Sequence, residues 1–148
     1  MTITTTPQKR SAIASDSRTL TGSDAGTLVL RLALGSMFLA HGLMKFLTFT
    51  LAGTAGFFES IGFPGWTAYV VAPAEVLAGV ALIVGFQSRK VALATLPILA
   101  GALVAHAGNG WAFANANGGW EYPLFLIATA VAVALFGGGH LAVTKPTA

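Results

Sequence analysis

No cysteine occurs in this sequence, so the chain alone builds no disulfide, no thiolate metal site and no dithiol redox relay. Thiol chemistry would have to come from a partner. Charge is scarce too: Asp, Glu, Lys and Arg make up 9% of the 148 residues, against roughly a quarter in soluble globular domains. That leaves too few charged groups to cover a water-facing surface. With 55% hydrophobic residues, a domain this small cannot bury its apolar side chains internally, and lipid is the environment that remains. A phosphate-binding glycine loop, a GxSxG elbow and a dinucleotide fingerprint are also missing, so the common soluble-enzyme chemistries have no foothold.

The net charge of +3 does not indicate nucleic acid as a partner, because the basic residues form neither a patch nor an aromatic-interleaved stripe. They fall at the edges of apolar runs, where they act as topology signals. Residues 1–27 are rich in Ser and Thr, carry Lys9, Arg10 and Arg18 and lack a repeating apolar face. They read as a disordered tail; a targeting peptide is the alternative, against which Asp16 and Asp24 argue.

What is present is a series of apolar runs. Residues 28–47 (LVLRLALGSMFLAHGLMKFL) match the ~30 Å hydrocarbon core at 1.5 Å per residue. Residues 66–86 and 91–107 supply a second and a third run, joined by a tight hairpin at residues 87–90. Residues 122–136 supply a short fourth, which the uncharged stretch 137–143 is able to lengthen. The expected fold is all-α: a transmembrane four-helix bundle over residues 28–143 after a disordered cytoplasmic tail over residues 1–27.

Lys9, Arg10, Arg18, Arg89, Lys90 and Lys145 fall on one side of such a bundle, and the opposite loops, 48–65 and 108–120, contain no Lys or Arg. The positive-inside rule then puts both termini in the cytoplasm. Trp66, Tyr69, Trp111, Trp120 and Tyr122 mark the outer boundary as an aromatic belt.

A charged group at the centre of a span costs at least ~2.5 kcal/mol, so each needs a partner or a cavity. The candidates are Arg31, His41 and Lys45 on the first helix, Glu75 on the second, His106 ending the third, Asn109 in the following loop and Glu121 starting the fourth. Arg31, Phe38, His41 and Lys45 share an arc of roughly 80° and define an inward face. Arg31, near the cytoplasmic end, also reads as a snorkelling anchor. His41 lies ~9 Å and Glu75 ~13 Å below the outer surface by helical rise. Glu75 cannot snorkel, and is protonated, paired with His41 or Lys45, or open to water. Glu121 has a plain reading as a first-turn acid offsetting the helix dipole. These residues come singly from different helices with no HExxH-type spacing, so no metal site is expected, and haem with two histidine ligands less still. Small-residue pairs such as Ala74 with Ala78 and Gly101 with Ala105 allow close helix contact.

The ordered motifs RLALGSMFLAHGLMKF, GTAGFFESIGFP, APAEVLAGVALIVGF, HAGNGW and GGWEYPLFL resemble the DoxX family of small membrane proteins, over residues 28–138. The resemblance implies a four-helix inner-membrane protein with Arg31, His41, Gly42, Lys45, Glu75, His106, Asn109, Gly110 and Glu121 at the family's recurring polar and glycine positions. It also implies a link to quinol oxidase, thiosulfate:quinone oxidoreductase or oxidative-stress complexes.

Three functions are compatible with this pattern. One is a redox-linked membrane subunit, with a quinone or a partner oxidoreductase at the polar cluster of the outer half. Another is a small-molecule binder or permease, which with so few helices has to form a homo-oligomer. The third is a structural subunit whose polar residues only hold helices in register. The sequence names no electron donor, and any electron path runs through a bound quinone or a partner chain.

Overall fold

A computed structural model describes residues 21–144. The expected tail lies mostly outside those residues, as do Lys9, Arg10, Arg18 and Lys145. The described chain is all-helical: α1 (Gly22–Leu47), α2 (Leu51–Ser60), α3 (Ala68–Val84), α4 (Ser88–His106) and α5 (Glu121–Phe136), with short 3-10 turns at Gly65–Thr67 and Ala107–Asn109. α1, α3, α4 and α5 form a closed ring in which α1 packs on α3, α3 on α4, α4 on α5 and α5 back on α1.

Three helices, Gly22–Leu47, Gly65–Val84 and Ser88–Asn109 when the flanking 3-10 turns are counted, are long and apolar enough to cross a membrane, and Glu121–Phe136 is a shorter apolar helix. The 16 residues of α5 rise ~24 Å, short of the ~30 Å core. The stretch 137–143 does not extend it. Gly137 and Gly139 adopt φ of 84° and 68°, conformations that break a helix, and residues 137–144 turn back across the bundle end. There Val143 N–H donates to Val84 O, Thr144 N–H to Gly85 O and His140 N–H to Asp24 Oδ1. This folded-back segment brings both described chain ends to one end of the bundle, the terminal end. The loops 48–67 and 107–120 occupy the other, the loop-rich end.

The boundaries follow local chemistry. α1 starts at Gly22 and not near residue 28, because Thr21 and Asp24 form a reciprocal capping box: Asp24 N–H donates to Thr21 Oγ1, and Thr21 N–H to Asp24 Oδ2. α2 was expected to be loop; Thr50 caps it by accepting from Gly53 N–H. α3 ends at Gly85, whose φ of 78° is left-handed.

Inward positions repeat at intervals of three and four residues: Ala68, Ala72, Glu75, Gly79 and Leu82 on α3, and Ser88, Ala92, Thr95 and Leu99 on α4. Leu34, Phe38, Leu82, Ala92, Leu99, Ala130 and Val133 form the core. Outward, Leu77, Val104, Phe125 and Leu135 are among many large exposed apolar side chains, as lipid contact requires. Close helix contact occurs between α1 and α3 at Gly79, and not at Gly101. A Cβ on Gly79 would lie 2.5 Å from Leu39 N and 2.8 Å from Gly35 O, whereas one on Gly101 would meet nothing within 4 Å.

Candidate functional site

The polar residues divide between the two ends of the bundle. At the terminal end Arg31 is 1% exposed and packs against Gly85, so it does not snorkel. Its guanidinium lies beneath the folded-back segment, where Nη2 donates to Leu141 O at 3.3 Å. Its Nε and Nη1 have no partner among the described residues. The reason is tertiary: residues 137–144 cover the route to the surface.

At the loop-rich end, Lys45 Nζ lies 2.6 Å from Glu75 Oε2, with the side chains 16% and 8% exposed. Of the partners open to Glu75, the carboxylate takes Lys45. One turn before Lys45, His41 Nδ1 lies 2.8 Å from Met37 O, and its ring stacks on Tyr122 of α5 with centroids 6.2 Å apart and planes at 30°.

His106 closes α4 and pins the loop that follows. Asn117 and Gly118 both have positive φ, 64° and 73°, and their carbonyl oxygens converge on two donors. His106 Nδ1 lies 3.0 Å from each, and Asn109 Nδ2 donates to them at 3.2 Å and 2.9 Å. Asn115 Nδ2 in turn donates to Asn109 O at 2.8 Å. The neck of the loop is closed by Trp120 N–H to Gly110 O and Glu121 N–H to Trp111 O. Trp111 and Trp120 meet edge to face at 4.5 Å. The loop is thus compact and self-bonded, of the omega kind.

These parts line two adjoining, partly open cavities. The larger, about 300 Å³, is lined by His41, His106, Phe113, Tyr122, Pro123 and residues 117–119. The smaller, about 90 Å³, runs deeper between Met37, Phe38, Glu75, Leu99 and Leu126, and shares His41, His106, Tyr122 and Pro123 with the first. Pockets for small ligands begin at about 300 Å³ and combine apolar walls with a few polar groups.

Of the candidate residues, His41, Glu75 and His106 therefore line a common space, Lys45 joins it through Glu75, and Asn109 holds its loop. Glu121 stands in the first turn of α5 and lines neither cavity. Arg31 belongs to the opposite end. Tyr122 was expected in the aromatic belt but turns inward, its hydroxyl buried without a hydrogen-bond partner among the described residues. Trp66, Tyr69 and Trp111 are exposed, as belt residues are. Phe113 and the pair Asn117–Gly118 were missed; the Asn and Gly run was readable as turn, but not as the source of carbonyls facing His106. No group of three or more His, Asp or Glu side chains among the described residues is placed to hold a metal ion.

Fold and cavity together describe a small helical membrane protein with a polar site near one end of its bundle. The chain belongs to the DoxX family, whose sequence profile matches residues 26–108. A relative in Bacillus subtilis (strain 168), bearing the name "Putative oxidoreductase CatD", is 36% identical over 119 residues, which cover 80% of this chain and 84% of that protein. No solved structure matches.

Proposed function

We propose that this chain is a subunit of a membrane redox complex, quinone-linked or concerned with oxidative stress, whose site is the cavity at the loop-rich end. The observation that carries the reading is the shared lining: two histidines and a phenol around a partly apolar space of about 300 Å³, with a carboxylate in the adjoining cavity of about 90 Å³. Exchange of protons with a ring oxygen needs titratable groups beside an apolar cavity. The oxidoreductase name of the Bacillus subtilis relative points the same way. Without cysteine, electrons pass through a bound quinone or a partner chain.

The chain resides in the inner (plasma) membrane with both termini cytoplasmic and the cavity in the outer half. This orientation is supported by Arg89 and Lys90 at the terminal end and by loops 48–65 and 108–120, which lack Lys and Arg. A structural reading competes for one pair: Lys45 and Glu75 compensate each other and tie α1 to α3, so they explain each other without a ligand. The Nε2 atoms of His41 and His106 and the Tyr122 hydroxyl have no comparable partner among the described residues.

The test is purification in native lipid particles, followed by mass spectrometry and an absorption spectrum of everything retained. A stoichiometric quinone or an oxidoreductase partner is the expected result. A colourless protein carrying only bulk lipid overturns the redox reading in favour of a solute binder or a structural subunit.

A further inference from the structure

Backbone carbonyl oxygens only accept hydrogen bonds, and this assigns the tautomer of both histidines on the cavity. His41 Nδ1 lies against Met37 O, and His106 Nδ1 against the carbonyls of Asn117 and Gly118. Each Nδ1 therefore carries a proton, and in the neutral form of each ring the lone pair stands at Nε2. Neither Nε2 makes a hydrogen bond among the described residues. Both rings line the same two cavities, so two acceptors from different helices serve one space. The carboxylate of Glu75, held by Lys45, adds acceptor capacity to the deeper cavity. On the donor side the buried Tyr122 hydroxyl has no partner among the described residues, and the Asn117 amide stands at the exposed rim of the larger cavity. The walls suit a flat ring: the stacked His41 and Tyr122, and Phe113, which meets Tyr122 at 5.7 Å.

We propose that this cavity selects a flat ring bearing hydroxyl groups, whose hydrogens His41 and His106 accept at Nε2, over the same ring bearing carbonyl oxygens. The inference rests on the redox-subunit reading and deepens it by naming the form of ligand bound. A ring carbonyl brings only lone pairs. It meets the two imidazole acceptors unfavourably, and among buried side chains it finds one donor, the Tyr122 hydroxyl. A ring hydroxyl satisfies an imidazole and remains able to accept from Tyr122. Sites built to pair a ligand O–H reject analogues that lack it, because their own polar groups are then left unpaired.

The experiment is anaerobic equilibrium dialysis of the full chain in lipid nanodiscs against trimethylhydroquinone, its dimethyl ether and trimethylbenzoquinone, with empty nanodiscs subtracted. The hydroquinone is expected to bind about tenfold more tightly than either of the others, the worth of one to two net hydrogen bonds. His41→Phe and His106→Phe each reduce that preference toward parity, with little change in affinity for the dimethyl ether. His41→Gln, whose amide oxygen accepts, restores part of it. The three-probe comparison on the unaltered chain stands even where a Phe variant fails to fold. Equal binding of all three probes, or tighter binding of the quinone, overturns the selectivity and leaves the redox reading in place. No binding of any probe overturns both.

Discussion

Lys45 Nζ and Glu75 Oε2 meet at 2.6 Å between α1 and α3, both side chains largely withdrawn from the surface. The two charges are tolerable in an apolar bundle only together. Glu75→Gln is expected to lower stability by about 3–5 kcal/mol, because it leaves the Lys45 ammonium buried and uncompensated. The double variant Lys45→Met with Glu75→Leu recovers most of the loss. Thermal unfolding in a fixed detergent measures both, and a Glu75→Gln protein as stable as the parent would refute the tie.

The α1–α3 contact depends on backbone proximity at Gly79. Gly79→Ala places a methyl group against Leu39 N and Gly35 O, and backbone atoms cannot rotate away. It is expected to cost about 1–3 kcal/mol by overpacking, while Gly101→Ala, which meets nothing within 4 Å, costs nothing. If the two alanine variants melt together, the close approach is not there.

Arg31 gives a prediction of opposite sign. Two of its three guanidinium nitrogens have no partner among the described residues, and the third donates to Leu141 O. Replacing a buried, under-bonded charge by an apolar side chain of similar length is often neutral or stabilising. Arg31→Met is expected to melt no lower than the parent. Protection of the Val143 and Thr144 amides from hydrogen exchange should persist, since Val84 O and Gly85 O hold them. A large loss of stability would show that the guanidinium has partners beyond the described residues.

The loop over the cavity hangs on few bonds. Asn109→Ala removes donors to the Asn117 and Gly118 carbonyls and the hold on that segment, an effect of about 1 kcal/mol. Amide exchange at Gly118 and Trp120 is expected to quicken severalfold, with the exchange of the α1 and α3 cores unchanged. Uniform exchange in parent and variant would mean that His106 alone pins the loop.

Composition and periodicity were enough to establish the class of molecule. Few charges and repeated apolar runs leave lipid as the environment, and the inward arc holding Arg31, Phe38, His41 and Lys45 is a property of helical spacing alone. The ordered motifs likewise carried the family. Local signals were legible but weaker, and two were missed: the Thr21–Asp24 capping box and the Thr50 cap that starts α2.

Tertiary structure decided what spacing along one helix cannot express. Lys45 rather than His41 pairs with Glu75 because α1 and α3 approach at glycines, which sets their register. Arg31 is covered because two glycines at positive φ fold residues 137–144 back over the bundle instead of continuing α5. Tyr122 faces inward because α5 packs on α1 beside His41. Sequence assigns each residue its depth and its face, since these follow from rise and rotation per residue. Which faces meet, and what space remains between them, depends on how the helices and the loops joining them pack.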